Sequence, residues 1–208
     1  MRNAPSCSCA VPDRRIPLFV LDNVLRRIVQ PPRRFLARHV RPGDTTADLG
    51  CGPGHFTVPM ARAVGDDGRV VAVDFDDSAV ARLRLRAARR RVERVIETHV
   101  ASAAEVDFID TASIDFALAE GLLCCMADHD GAVRQIERVL RPTGRAWLSV
   151  MKGGRSSDPR SVSKAEWHEI LSRLRVVDSG EGLLSRWALV GPRGSTPPGR
   201  PAADPRRS

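Results

Sequence analysis

Apolar residues follow two rhythms along this chain. Thr45–Leu49, Val70–Asp74, Ile114–Glu120 and Ala146–Met151 are short, largely apolar runs of the kind a strand covered on both faces requires, and Val95–Val100 reads as a further, more polar strand. Between them the spacing becomes helical: Phe56, Met60, Ala63 and Val64; then Val80, Leu83 and Ala87; then Ala132, Val133, Ile136, Val139 and Leu140. Ser163-Lys164-Ala165-Glu166 is a capping box that opens a further helix through Leu174. Leu174–Val177 and Ser185–Val190 alternate as two closing strands around Gly180-Glu181-Gly182. Strands alternating with helices predict an α/β fold: a doubly wound, Rossmann-like, mostly parallel sheet with helices on both faces. The closing pair adds an antiparallel C-terminal edge strand.

The ends read differently. Residues 1–15 mix Pro, Ser, Cys and Arg without period, and 192–208 are rich in Pro, Gly and Arg, so both are expected to be disordered. From residue 16 to 40 there are two short helical stripes: Leu18, Leu21, Val24, Leu25 and Ile28, then, past Pro31-Pro32, Phe35, Leu36 and Val40. The organisation predicted is one domain over 16–191 between two tails. At 208 residues the chain suits one α/β domain with a sizeable core.

The chemistry concentrates in Asp48-Leu49-Gly50-Cys51-Gly52-Pro53-Gly54, where the first strand turns sharply into a helix. Glycines there tolerate positive φ and let a ligand approach the backbone closely. The helix opening beyond Gly54 offers unpaired N–H groups and a positive dipole end to an anionic group. The second strand ends in Asp74, placed to accept both hydroxyl protons of a ribose. Strand, loop, helix, strand and terminal acid in that order indicate a cofactor carrying a nucleoside. A dinucleotide fingerprint wants a third glycine where this chain has His55.

Composition narrows the picture. Net charge is +8, and Lys152 and Lys164 are the only lysines among 33 basic residues. Arg82, Arg84, Arg86, Arg89, Arg90, Arg91 and Arg94 crowd one predicted helix with no aromatic between them. With 4% aromatic residues and no Tyr, base-stacking platforms are poorly supplied, so a solvated arginine-rich face is favoured over nucleic-acid binding. The five cysteines, Cys7, Cys9, Cys51, Cys124 and Cys125, have neither metal-ligand spacing nor a disulfide framework, so a reducing cytoplasm and no metal are expected. No apolar run reaches the ~18 residues of a membrane span and no secretory signal is recognisable.

Asp48-Leu49-Gly50-Cys51-Gly52-Pro53-Gly54 resembles the first motif of the class I S-adenosylmethionine-dependent methyltransferases. Asp74 matches that family's ribose-binding acid, and Ala101-Ser102-Ala103-Ala104-Glu105-Val106-Asp107-Phe108 resembles its adenine-side motif. Ser113–Ala119 looks like its fourth strand, and Val139–Arg145 like the turn before its fifth. The resemblance implies S-adenosyl-L-methionine as cofactor, with Asp48, Gly50, Cys51, Gly52, Gly54, Asp74, Phe75, Ser102, Ala103 and Ala119 at its site. Ser102 stands where the family usually has an Asp that binds the adenine amino group. Small members use the segment before the first motif as a lid, here 16–40, beside the alternatives of plain packing and an interfacial helix.

The expected reaction is methyl transfer to a nucleophile, in which the protein's work is alignment and exclusion of water. Glu120, at the carboxyl end of the fourth strand, is the candidate catalytic residue, with helix capping as its structural alternative. Cys124 and Cys125 are expected to be buried helix cysteines, and His129, between Asp128 and Asp130, part of a solvated helix start. A small-molecule acceptor is favoured. RNA or protein as acceptor, and a nicotinamide-dependent oxidoreductase, are the other readings.

Overall fold

The computed structural model describes residues 13–15, 32–153 and 157–194. The first predicted helical stripe and most of both tails lie outside these residues.

Strands β1 (Thr45–Leu49), β2 (Arg69–Asp74), β3 (Ile96–Val100), β4 (Ile114–Glu120) and β5 (Leu140–Met151) form the parallel part of a seven-stranded sheet. The order is β3-β2-β1-β4-β5-β7-β6, with β6 (Arg175–Glu181) and β7 (Ser185–Gly191) completing it. β7 pairs antiparallel with both β5 and β6. The order reverses between β1 and β4, which pair at Thr46–Phe116, Ala47–Ala117 and Asp48–Leu118. Ligands in an open α/β sheet bind outside the carboxyl ends of the strands at such a point.

Helices α1 (Pro32–Leu36), α2 (Thr57–Val64), α3 (Asp77–Arg90), α4 (His129–Val139) and α5 (Lys164–Ser172) accompany the sheet. Leu36, Val40, Phe56, Met60 and Val64 join Phe116, Leu118 and Leu189 in one core cluster on the α1–α2 side. The larger cluster joins β1, β4 and β5 to Val133, Ile136 and Val139 of α4 and Trp167 and Ile170 of α5. Val70 to Val73 are all buried, so the apolar run of β2 reports two covered faces.

Helix starts follow from single side chains. Asp76 caps α3 by accepting from Ser78 N, Asp128 caps α4 through Gly131 N, and Ser163 caps α5 through Glu166 N. The arginines of α3 leave Ala79, Val80, Leu83 and Ala87 as its buried stripe, in keeping with a solvated face. One of them reaches back: Arg86 Nη1 donates to Pro53 O at 2.9 Å and ties α3 to the glycine loop.

Three local expectations change. Arg141-Pro142-Thr143-Gly144, expected as a turn, lies within β5, where the pairing with β4 shifts register between Ile114 and Phe116. β6 runs to Glu181 rather than stopping at Val177, and its Gly180 faces the Trp187 ring so closely that a Cβ would sit 2.8 Å from it. His129 is buried, not solvated. Its Nδ1 lies 2.6 Å from Glu166 Oε1, pinning α4 to α5 beside the Arg173–Asp130 pair at 2.6 Å.

Candidate active site

Two cavities meet at the carboxyl ends of the strands. The first, about 320 Å³, is bounded by Asp48, Gly50, Cys51, Gly52 and Pro53 of the loop after β1, by Asp74 and Phe75 after β2, and by Ala101 and Ala103 after β3. Glu120, Cys124, Cys125 and Ser149 close its other end. The second, about 520 Å³, lies between α1 and the β5–β7 pair, among Phe35, His39, Trp147, Trp187 and Leu189, with Arg34 on α1 and Arg38 in the turn after it. Phe56, Glu120 and Ser149 belong to both.

The loop folds as its glycines require. Gly50, Gly52 and Gly54 have φ of 78°, 51° and 86°, a region that other residues enter only at a cost. Asp74 organises the loop: its Oδ2 accepts from Gly52 N at 2.8 Å and its Oδ1 from Asp76 N at 2.9 Å. Burial pushes its carboxyl above the usual range, opposed by those two amides. Beneath, buried Asp48 accepts the Thr57 hydroxyl at 2.6 Å, joining β1 to the start of α2.

The remaining predicted positions divide. Phe75 and Ala103 line the first cavity with Asp48, Gly50, Cys51, Gly52 and Asp74, whereas Gly54, Ser102 and Ala119 are not among its lining residues. Gly54 packs instead: a Cβ there would come within 2.5 Å of Leu83 Cδ1 on α3. This is the close helix contact for which a dinucleotide site uses its third glycine. Ala119 is fully buried within β4.

Glu120 sits at the junction of the cavities, where Trp147 Nε1 donates to its Oε2 at 2.9 Å. Trp147 in turn stacks on Trp187 with ring centroids 4.6 Å apart and planes 10° apart. The following turn, Leu123–Cys125, is a 3₁₀ turn with no side-chain cap.

Cys124 and Cys125 lie on that turn, half-buried on the cavity wall rather than inside a helix. The Cys125 S–H donates to Cys124 and holds the Cys124 thiol down to about 6, while the Cys125 thiol is pushed well up. Burial and the nearby Asp48 and Asp74 carboxylates raise the Cys51 thiol. His39 stacks on Phe116 at 5.5 Å, and burial, with Arg145 and Arg38 nearby, lowers its pKa and favours neutral imidazole.

Trp147, Trp187 and the strap Asp13–Arg15 were not among the expected site residues. Period two along β5 and β7 was the available signal for the tryptophans, because Trp147, Ser149 and Met151 alternate to one face. Asp13–Arg15, expected within a disordered tail, lie along the first cavity; Asp13 and Arg14 hydrogen-bond to residues beyond 100, and Arg15 pairs with Asp76 and Asp77. No cluster of three His, Cys, Asp or Glu that could hold a metal occurs among the described residues, and no helix there is long and apolar enough to cross a membrane.

Residues 47–148 match the family model described as "Methyltransferase domain". Demethylmenaquinone methyltransferase of Symbiobacterium thermophilum is 32% identical over 114 residues, 54% of this chain and 45% of its own. An uncharacterised 37.1 kDa protein in a transposon of Streptomyces fradiae is 37% identical over 111 residues, 52% of this chain and 30% of its own. The chain thus spans about half or less of the curated relatives it matches. Among solved structures, a SAM-dependent methyltransferase from Aquifex aeolicus superposes with a TM-score of 0.72 at 19% identity, over 83% of this chain and 95% of its own. That likeness speaks for the fold.

Proposed function

We propose that this chain, whose residues 47–148 match the methyltransferase-domain family, is an S-adenosylmethionine-dependent methyltransferase that transfers a methyl group from S-adenosyl-L-methionine to a small-molecule nucleophile. The observation that carries this reading is the cradle around the first cavity: the positive-φ glycines Gly50 and Gly52, a carboxylate fixed by two loop amides, and an apolar wall of Phe75, Ala101 and Ala103. The donor set fits the cofactor. Asp74 is placed for vicinal ribose hydroxyls, and its raised pKa marks a desolvated carboxylate that gains from accepting them. At Gly50, a Cβ would approach Leu122 Cδ1 to 3.0 Å across the cavity wall. The cavity volume, about 320 Å³, suits a small ligand.

Bound there, the cofactor supplies a methyl group already made electrophilic by its sulfonium. The chain's residues do the rest by holding and excluding. The glycine loop and Asp74 fix the nucleoside, and the aromatic cavity beside Glu120 receives the acceptor and keeps water out. Glu120 belongs to both cavities, so its carboxylate is the group that orients the acceptor or takes its proton. The lid expected over 16–40 is then represented by α1 and the turn after it, whose Phe35 and His39 wall the acceptor side. Cysteines not engaged in disulfides at the site, Cys51, Cys124 and Cys125, suit a reducing cytoplasm.

Calorimetry with S-adenosylhomocysteine, followed by a screen of small acceptors with labelled donor, tests the proposal. Micromolar binding, roughly 8 kcal/mol, is expected. A folded sample with no saturable binding refutes it. Label appearing only in RNA or protein moves the acceptor to those classes.

A further inference from the structure

The chain has six Phe and three Trp, and they are not spread evenly. Four of them, Phe35, Phe56, Trp147 and Trp187, border the second cavity. Trp147 stacks on Trp187, and Phe35 meets Trp147 edge to face at 4.8 Å, so three rings make a corner. Phe35, Trp147 and Trp187 stay only half-buried, so the domain's own packing leaves ring surface open to an occupant. Offset and edge-to-face contacts make such a corner a seat for another aromatic ring.

The charges around this corner are separated. Arg34 on α1 and Arg38, one helical turn later, are exposed at the cavity, and neither pairs with a carboxylate among the described residues. His39 adds no third cation, because burial, Arg145 and Arg38 all lower its pKa. The two carboxylates come from other elements. Glu120, at the junction with the first cavity, accepts the Trp147 indole N–H, and Asp178, on β6, accepts Ser179 N at 2.8 Å. A cationic amine would find the carboxylates but would also face both arginines, in a chain of net charge +8. A ring bearing an oxyanion meets every wall. Its ring lies against rings, and its anion meets guanidinium groups, whose planar fork matches a carboxylate.

We propose that the second cavity binds an aromatic acid, its ring in the corner of Phe35, Trp147 and Trp187 and its anionic group at Arg34 and Arg38. That this acid is the methyl acceptor rests on the methyltransferase reading above. It then enters nucleophile first, with the accepting atom beside Glu120 and Ser149, the polar residues common to both cavities.

Three probes with one ring system and different charge test the assignment: biphenyl-4-carboxylate, biphenyl-4-methanol and biphenyl-4-methylamine, titrated into the full chain by calorimetry. At low salt the carboxylate should bind at least about fivefold more tightly than the alcohol, the scale of two exposed ion pairs, and the amine more weakly than either. At about 1 M salt, where the screening length is ~3 Å, the preference should fall below about twofold. Arg34→Gln combined with Arg38→Gln should bring carboxylate and alcohol within about twofold of each other, with the alcohol's own affinity unchanged. Both arginines are exposed, so folding is kept. Trp187→Ala should weaken all three probes. An alcohol or amine that binds as tightly as the carboxylate overturns the assignment. So does a preference that survives high salt or the double variant, binding untouched by Trp187→Ala, or no binding of any probe. S-adenosylhomocysteine titrated into the same samples keeps the two readings apart. Its binding beside a failed probe series sinks the aromatic-acid assignment alone, and its failure beside a successful series refutes the methyltransferase reading alone.

Discussion

Gly54→Ala should unfold the protein more readily without being a cofactor-site mutation. The Gly54 backbone has φ of +86°, and its missing Cβ would lie 2.5 Å from Leu83 Cδ1. Leu83 is fully buried with Cys51, Val58 and Ala72, so the methyl group has no vacant space to rotate into. Holding Ala in the left-handed region costs about 1–2 kcal/mol. Forcing an extra carbon into a filled core adds about 1–3 kcal/mol. The sum is about 2–5 kcal/mol, and at this chain length each kcal/mol shifts Tm by about 2–4 °C, so a fall of roughly 4–20 °C is expected. Gly50→Ala makes the paired control. Its φ of +78° carries the same backbone cost, but its Cβ would meet Leu122 Cδ1 at 3.0 Å on the cavity wall, where a partly exposed side chain can give way. Gly50→Ala should therefore lose less stability and more S-adenosylhomocysteine affinity. Urea unfolding without ligand and calorimetry with it read the two quantities separately. Gly54→Ala that keeps its Tm but loses affinity would return Gly54 to the ligand cradle and refute the packing role.

Asp74→Ala should weaken S-adenosylhomocysteine by roughly 1.5–3 kcal/mol, the scale of hydrogen bonds to a charged group, and unchanged affinity would release Asp74 from the ribose. Glu120→Gln keeps the Trp147 contact in outline while removing the charge; turnover on the true acceptor should fall at least ~10-fold, or ~1.4 kcal/mol, with S-adenosylhomocysteine affinity unchanged, and full turnover would make Glu120 a structural residue. Alkylation of Cys124 should speed up as pH rises through about 6, because the thiolate is the reactive form and the Cys125 S–H favours it. Cys125→Ala removes that donor, so the midpoint should move up towards the ordinary thiol range, and an unmoved midpoint would exclude the Cys125 contact as its cause.

Most of the lining of the first cavity was legible because it is made of chain-local parts. β1, β2 and β4 are covered on both faces, so their apolar runs need no knowledge of partners, and each delivers its candidate residue at its own carboxyl end. The rest depends on register or on distant docking. The Pro and Gly of Arg141–Gly144 announced a turn, yet the segment runs beside β4, where a Cβ on Gly144 would lie 2.7 Å from Ile114 O. His129 looked solvated beside two acids, but its burial is decided by α5, which brings Glu166 from 37 residues away. Asp13–Arg15 have no periodicity to read, since their partners, Ser102, Cys125, Ala127 and Asp158, are far along the chain.

The same division bears on what sets the acceptor. Glu120 comes from β4, but the group that orients it, the Trp147 indole, comes from β5 and is stacked on Trp187 from antiparallel β7. The cross-strand pairing of Ser149 with Trp187 fixes that stack, so a register slip in the C-terminal hairpin would turn Trp187 to the opposite face of the sheet and leave the Glu120–Trp147 pair unsupported. The outer wall is α1, whose Phe35 meets Trp147 edge to face at 4.8 Å. The aromatic residues reach the first cavity only through the shared Glu120, Phe56 and Ser149: none of Phe35, Trp147 or Trp187 borders the first cavity itself. Trp187→Ala should accordingly disturb acceptor use while leaving S-adenosylhomocysteine affinity in place. A comparable loss of both would mean that the two cavities act as one site.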